Sequence, residues 1–225
     1  TGGGGGGGDD DWRSPLHGPR EHLYRMRAFM FCAMAGDMMF FVVLVSLFYA
    51  RQASTHMDPR TLRQIGDWHP VPLPNILFLN TAALLLSGLS MEYARRQIFR
   101  EFDVLEEWLG LGRPALRRTL PWLAATLALG AAFLVGQALA WRQLAAQGFA
   151  FDQSATPASY FFYLITGLHG AHLFLGVLAL LLCLTALPWL KRVESRQIAI
   201  DAVAWFWHTI SVTWLVLFAV LVFGQ

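Results

Sequence analysis

The chain has 225 residues, 56% of them hydrophobic and 14% charged, with a formal net charge of +2. Long uncharged runs at that composition argue against soluble domains and point to an integral membrane protein, for which no nucleic-acid partner is expected. Cys32 and Cys183 both fall inside apolar runs, where a thiol behaves as a small hydrophobe, so neither a disulfide nor a redox pair is inferred.

The chain begins with Thr1, a run from Gly2 to Gly8, and Asp9 to Asp11. Such a composition cannot bury apolar surface and reads as a flexible tail or an artificial extension, assigned here to residues 1–24. The first apolar run starts near Phe29 after a basic, polar stretch, so the first span is expected to serve as its own insertion signal. Five apolar segments follow: about Ala28 to Ala50, Ile76 to Ala94, Leu120 to Trp141, Ala158 to Leu187 and Ile200 to Phe223. Each is long enough to cross a hydrocarbon core of about 30 Å. The expected fold is therefore all-α, a polytopic bundle of five transmembrane helices over residues 25–225, with neither an internal repeat nor a separate soluble domain.

Orientation follows from the placement of Lys and Arg. The segment before the first span and the second and fourth connections together hold 13 of the 17 basic residues, among them Arg25, Arg27, Arg95, Arg96, Arg117, Arg118, Lys191 and Arg192. The opposite side has only Arg51, Arg60, Arg63 and Arg142. The N-terminus is expected to be cytoplasmic and the C-terminus outside.

Polar residues inside the spans are the candidate functional groups. Asp37 lies about nine residues into the first span, roughly 13 Å deep. A lone carboxylate there is costly unless protonated or paired, and burial would suit it to proton exchange or simply to a hydrogen bond with a neighbouring helix. In the second span Asn80 and Ser87, and Thr81 and Gly88, are seven apart, and Glu92 follows, which makes one side of that helix small and polar. Glu92 and Arg96 are four apart and placed to pair, while Arg95 and Arg96 read chiefly as orienting charges that reach lipid headgroups. Gln137 lies within the third span and Trp141 at its end, where an interfacial belt is expected. The fourth span carries Thr166, His169 and His172 at three-residue spacing, on one helical face, and Gly167 and Ala171 as a small-residue stripe for close helix packing. The last span holds His208 and Ser211 among Trp205, Trp207 and Trp214, whose indoles read as packing and interface groups.

No catalytic motif and no metal-spaced cluster is visible. A haem carrier needs two imidazoles at a common depth, yet His172 lies roughly 22 Å and His208 roughly 12 Å from the cytoplasmic side, which disfavours that reading. A transporter would be expected to show broken helices or duplicated halves. Small-residue faces and intramembrane polar groups without a complete active site suit best a subunit that packs on a larger membrane enzyme.

The run Tyr160-Phe161-Phe162-Tyr163-Leu164-Ile165-Thr166-Gly167-Leu168-His169-Gly170-Ala171-His172 closely resembles the Thr-Gly-x-His-Gly-x-His segment of subunit III of haem-copper terminal oxidases. Asn80-Thr81 with Leu85-Leu86-Ser87, Gln137 to Trp141, and Trp207-His208 with Trp214 are similar to three further segments of that family, so the resemblance spans about residues 25–223. Gly88 stands where the family has the second Ser of a pair, and Ser211 where it has an Asp. Asp37 replaces the more usual Glu, as in some quinol-oxidising relatives. Five spans match the shorter bacterial form.

The resemblance implies a bacterial inner-membrane complex that reduces dioxygen to water and pumps protons, with haem and copper in partner subunits. This chain would carry no catalytic centre, metal or redox group; it would pack on subunit I and other oxidase subunits, bind phospholipid, and sustain proton uptake and complex lifetime. Asp37 would be the proton-related acid, and Glu92, Arg95, Arg96, His169, His172 and His208 would make lipid or helix contacts. A quinol oxidase or nitric oxide reductase homologue, and an independent membrane cytochrome b, remain as alternatives.

Overall fold

The computed structural model describes residues 19–57, 64–66, 68–100, 109–110, 114–149, 151, 156–190 and 192–224. Most of the 1–24 tail lies outside these residues, and the first helix begins inside that stretch, at Pro19. Five helices carry the fold: α1 (Pro19–Gln52), α2 (Ile76–Ile98), α3 (Pro114–Ala146), α4 (Pro157–Ala186) and α5 (Val193–Phe223). All five are long and apolar enough to cross a membrane, as the apolar runs predict. With 34 residues α1 extends roughly 51 Å, well beyond a hydrocarbon core of about 30 Å.

The helices are longer than the apolar runs because helical hydrogen bonding does not stop where the bilayer does. At its start α3 includes Arg117 and Arg118, read above as part of a connection, and α5 starts seven residues before Ile200. Local chemistry explains one start well: the Thr156 hydroxyl accepts the Ser159 N–H, and Pro157 occupies the first helical position, where its missing N–H costs nothing. The connection after α1 adds a short antiparallel ribbon, β1 (Thr55–Met57) with β2 (Gln64–Gly66), in the register Thr55 opposite Gly66. No periodicity in that polar stretch announces it.

α2 packs most extensively on α3 and also meets α5, which in turn meets α4; α3 closes against α4. The buried interior of these four helices includes Leu77, Leu84, Met91, Leu123, Phe133, Leu173, Leu180, Trp207 and Trp214. Two glycines let α3 approach closely. A Cβ at Gly130 would stand 2.5 Å from the Trp207 ring, and one at Gly136 would collide with the Asn80 amide. By contrast α1 lies at the flank, against α5 and to a lesser extent α4, and is the least buried of the five. Its far end joins an aromatic cluster in which Phe48 meets Trp68 at 4.9 Å and Phe161 at 6.0 Å.

Candidate functional site

The small polar side of α2 accepts the indoles of α5. Trp207 Nε1–H donates to Ser87 Oγ at 3.0 Å, and Trp214 Nε1–H donates to Thr81 Oγ1 at 2.9 Å. Each indole thereby buries a large apolar surface without stranding its N–H in lipid. Trp141 follows the same rule: its N–H donates to Thr166 Oγ1 at 3.0 Å, which makes it a contact between α3 and α4. Ser211, in the position where the resembled family carries Asp, donates back to the Trp207 carbonyl within its own helix.

Asp37 and His172, on α1 and α4, meet directly: Asp37 Oδ1 is 2.8 Å from His172 Nε2. The other ring nitrogen, Nδ1, is 2.8 Å from the Leu168 carbonyl oxygen. A carbonyl only accepts, so Nδ1 carries a hydrogen and donates. Nε2 is left facing the carboxyl oxygen, so an acid and an imidazole from two helices meet in one direct contact. Phe41, one turn along α1, covers the His172 ring edge to face at 5.4 Å. The acid and the imidazole remain 27% and 24% exposed at their side chains, so the contact is not sealed from the flank of the bundle.

A second polar cluster joins α1, α2 and α5. Asp201 on α5, with only 2% of its side chain exposed, receives Arg27 Nε at 2.7 Å and Arg27 Nη2 at 3.2 Å from α1, and Arg95 Nε at 2.8 Å from α2. Arg95 also reaches Glu92 at 3.3 Å, and Arg96 Nε bonds Glu92 Oε1 at 2.9 Å, the four-residue pairing that the spacing predicts. His208 Nε2 approaches Glu92 Oε2 at 3.6 Å, an electrostatic contact too long for a hydrogen bond. Arg95 is thus a structural partner more than a headgroup contact, while Arg96, 71% exposed, stays free to reach outward.

Asp201 is not singled out by the sequence reading, which takes Arg27 only as one of the orienting charges. Asp201 stands second in the apolar run placed from Ile200, and an acid there, among alanines and tryptophans, was the available signal. His169 occupies a third setting. It is 1% exposed, with Trp214 at 4.8 Å and Phe133 at 6.0 Å between ring centres.

The fold and these contacts define a polytopic helical membrane subunit whose polar groups tie helices together. The cytochrome c oxidase subunit III family model matches residues 24–224, and the chain belongs to that family. It is 36% identical over 104 residues to a cytochrome c oxidase subunit 3 of Corynebacterium diphtheriae, a match covering 46% of this chain and 50% of that protein. A probable cytochrome c oxidase subunit 3 of Mycobacterium tuberculosis is 26% identical over 192 residues, 84% of this chain and 83% of the relative. The corresponding protein of Prototheca wickerhamii is 29% identical over 189 residues; there the match covers 80% of this chain but 62% of the relative. Family membership makes the chain a component of an oxidase complex with other subunits.

Proposed function

We propose that this chain is the accessory, non-redox subunit III of a proton-pumping haem-copper oxygen reductase of the cytochrome c oxidase type, resident in a bacterial cytoplasmic membrane. It packs on subunit I, binds phospholipid, and supports proton uptake and the lifetime of the complex. The concentration of 13 of 17 basic residues on one side supports a cytoplasmic N-terminus and an outer C-terminus. The exposed guanidinium of Arg96 and the neighbouring Glu92 and His208 suit a zwitterionic or anionic headgroup. Haem and copper belong to the partner subunits in this reading. Its own histidines suit ligation poorly, since both nitrogens of His172 are engaged and His169 is wedged among aromatic rings.

The Asp37–His172 pair carries the proton role. Asp37→Asn tests it cleanly, because an amide can still donate to Nε2 and hold α1 in place but cannot hand over a proton. Assembly is expected to survive, while oxygen turnover at high pH falls and inactivation during turnover accelerates. Unchanged kinetics and lifetime would remove the proton role. A quinol-oxidising complex is the second reading, favoured by Asp rather than Glu at position 37. Purification through a tag on this chain, with a visible spectrum of the complex and of the chain alone, separates the accessory role common to both readings from a chain that itself holds haem. A colourless isolated chain in a haem-containing complex supports the accessory role; haem on the chain alone overturns it.

A further inference from the structure

Asn80, Gln137 and His169 are buried side chains with polar atoms that no group among the described residues satisfies. Asn80 on α2, Gln137 on α3 and His169 on α4 are 4%, 2% and 1% exposed. Asn80 Nδ2, both amide heteroatoms of Gln137 and both ring nitrogens of His169 lack hydrogen-bond partners. Leaving such a group unpaired is costly, and hydrocarbon outside the bundle supplies no solvent to relieve it.

These residues converge on one layer. The Trp214 ring lies 4.8 Å from His169 and 4.9 Å from Phe133, and its N–H is held by Thr81, next to Asn80. Phe133 is one helical turn before Gln137 and 6.0 Å from His169. The Asn80 amide sits against Gly136, the neighbour of Gln137.

We propose that this layer is an internal water-binding site, in which a few water molecules bridge Asn80, Gln137 and His169 beside the Trp214 and Phe133 rings. The ligand class follows from the functional groups. The two amides offer N–H donors, Gln137 offers a carbonyl acceptor, and a neutral imidazole offers one donor and one acceptor. An ion would satisfy only donors or only acceptors, and no charged side chain is among these residues to balance it. Water satisfies both and is held buried by a few such partners. Exchanging the two ends of the Gln137 amide leaves this inventory unchanged, since both of its ends are unsatisfied. The site gives three polar residues a role in the apolar interior that the helix contacts leave unexplained.

Radiolytic hydroxyl-radical footprinting of the purified oxidase complex in isotope-labelled water tests the site, because radicals form from bound water within the protein. Trp207 is the internal control, equally buried and likewise hydrogen-bonded through its indole, but packed against Gly130 and Gly176 where Trp214 packs against His169. Trp214 and Phe133 are expected to take up label several-fold faster than Trp207, and Gln137→Met to bring them down to the Trp207 rate. Labelling of both at the Trp207 rate in the unaltered protein overturns the proposal. If Gln137→Met fails to assemble, a density map of the unaltered complex that resolves ordered solvent decides. Solvent density among the three side chains supports the site; a direct hydrogen bond between Gln137 and His169, or a lipid headgroup there, overturns it.

Discussion

The α2 to α5 interior and the α1 flank are held by different forces. In the interior, fully buried side chains interlock around glycines, and the Trp207 and Trp214 N–H groups each find a hydroxyl. Along α1 few side chains are buried, and polar ties recur instead: Arg27 to Asp201, Asp37 to His172, and Gln52 Nε2 to the Gly224 carbonyl at 2.7 Å. These lie roughly 15 Å and 22 Å apart along the helix. Lipid tails are as apolar as leucine, so burying apolar surface does little to join helices in a membrane; shape fit or hydrogen bonding must do it. The interior relies chiefly on shape fit, with hydrogen bonds at its indoles, and the flank relies on polar ties.

Breaking the interior should have the largest effect. Trp207→Ala removes the side chain that fills the space beside Gly130 and is expected to destabilise the bundle by about 3–5 kcal/mol, read as a lower unfolding temperature in detergent and as protection lost from α2 through α5 together. Asp201→Asn acts on the flank. Removing the anion leaves Arg27 and Arg95 facing each other, and because both are about one-third exposed the expected cost is roughly 2 kcal/mol, below that of a wholly buried pair. Amide exchange is the discriminating readout: α1 should open first while α2 to α5 stay protected. Equal loss of protection in all five helices would erase the distinction between the two regions. The smallest effect is expected for Thr81→Val, which keeps the shape but takes the acceptor from Trp214, at about 0.6–2 kcal/mol by membrane hydrogen-bond measures. Exchange in α1 should not change.

Much of the fold was legible because membrane insertion is dictated by composition. A run such as Ile76 to Ala94 has no alternative to a helix in lipid, where every backbone group must be satisfied within the segment. The four-residue spacing of Glu92 and Arg96 likewise fixed their pairing, since only two side chains one turn apart are involved. The β1–β2 ribbon was not legible, as strand pairing in a short polar connection depends on where the flanking α1 and α2 ends are held. Nor was the start of α3 before Arg117, because hydropathy marks the bilayer and not the helix.

What the sequence alone determined about this protein is its membrane character, its five spans, its family and the polar residues in those spans, for these depend on composition and on neighbours along one helix. Which polar residue meets which was decided only by tertiary packing. Asp37 and His172 are 135 positions apart, and Arg27 and Asp201 are 174 apart. Their pairing depends on how α1 lies across α4 and α5, and that angle is set by the shapes of many side chains at once. The same packing decided that His169, on the same helical face as His172, sits by Trp214 without a protein partner while His172 gains an acid.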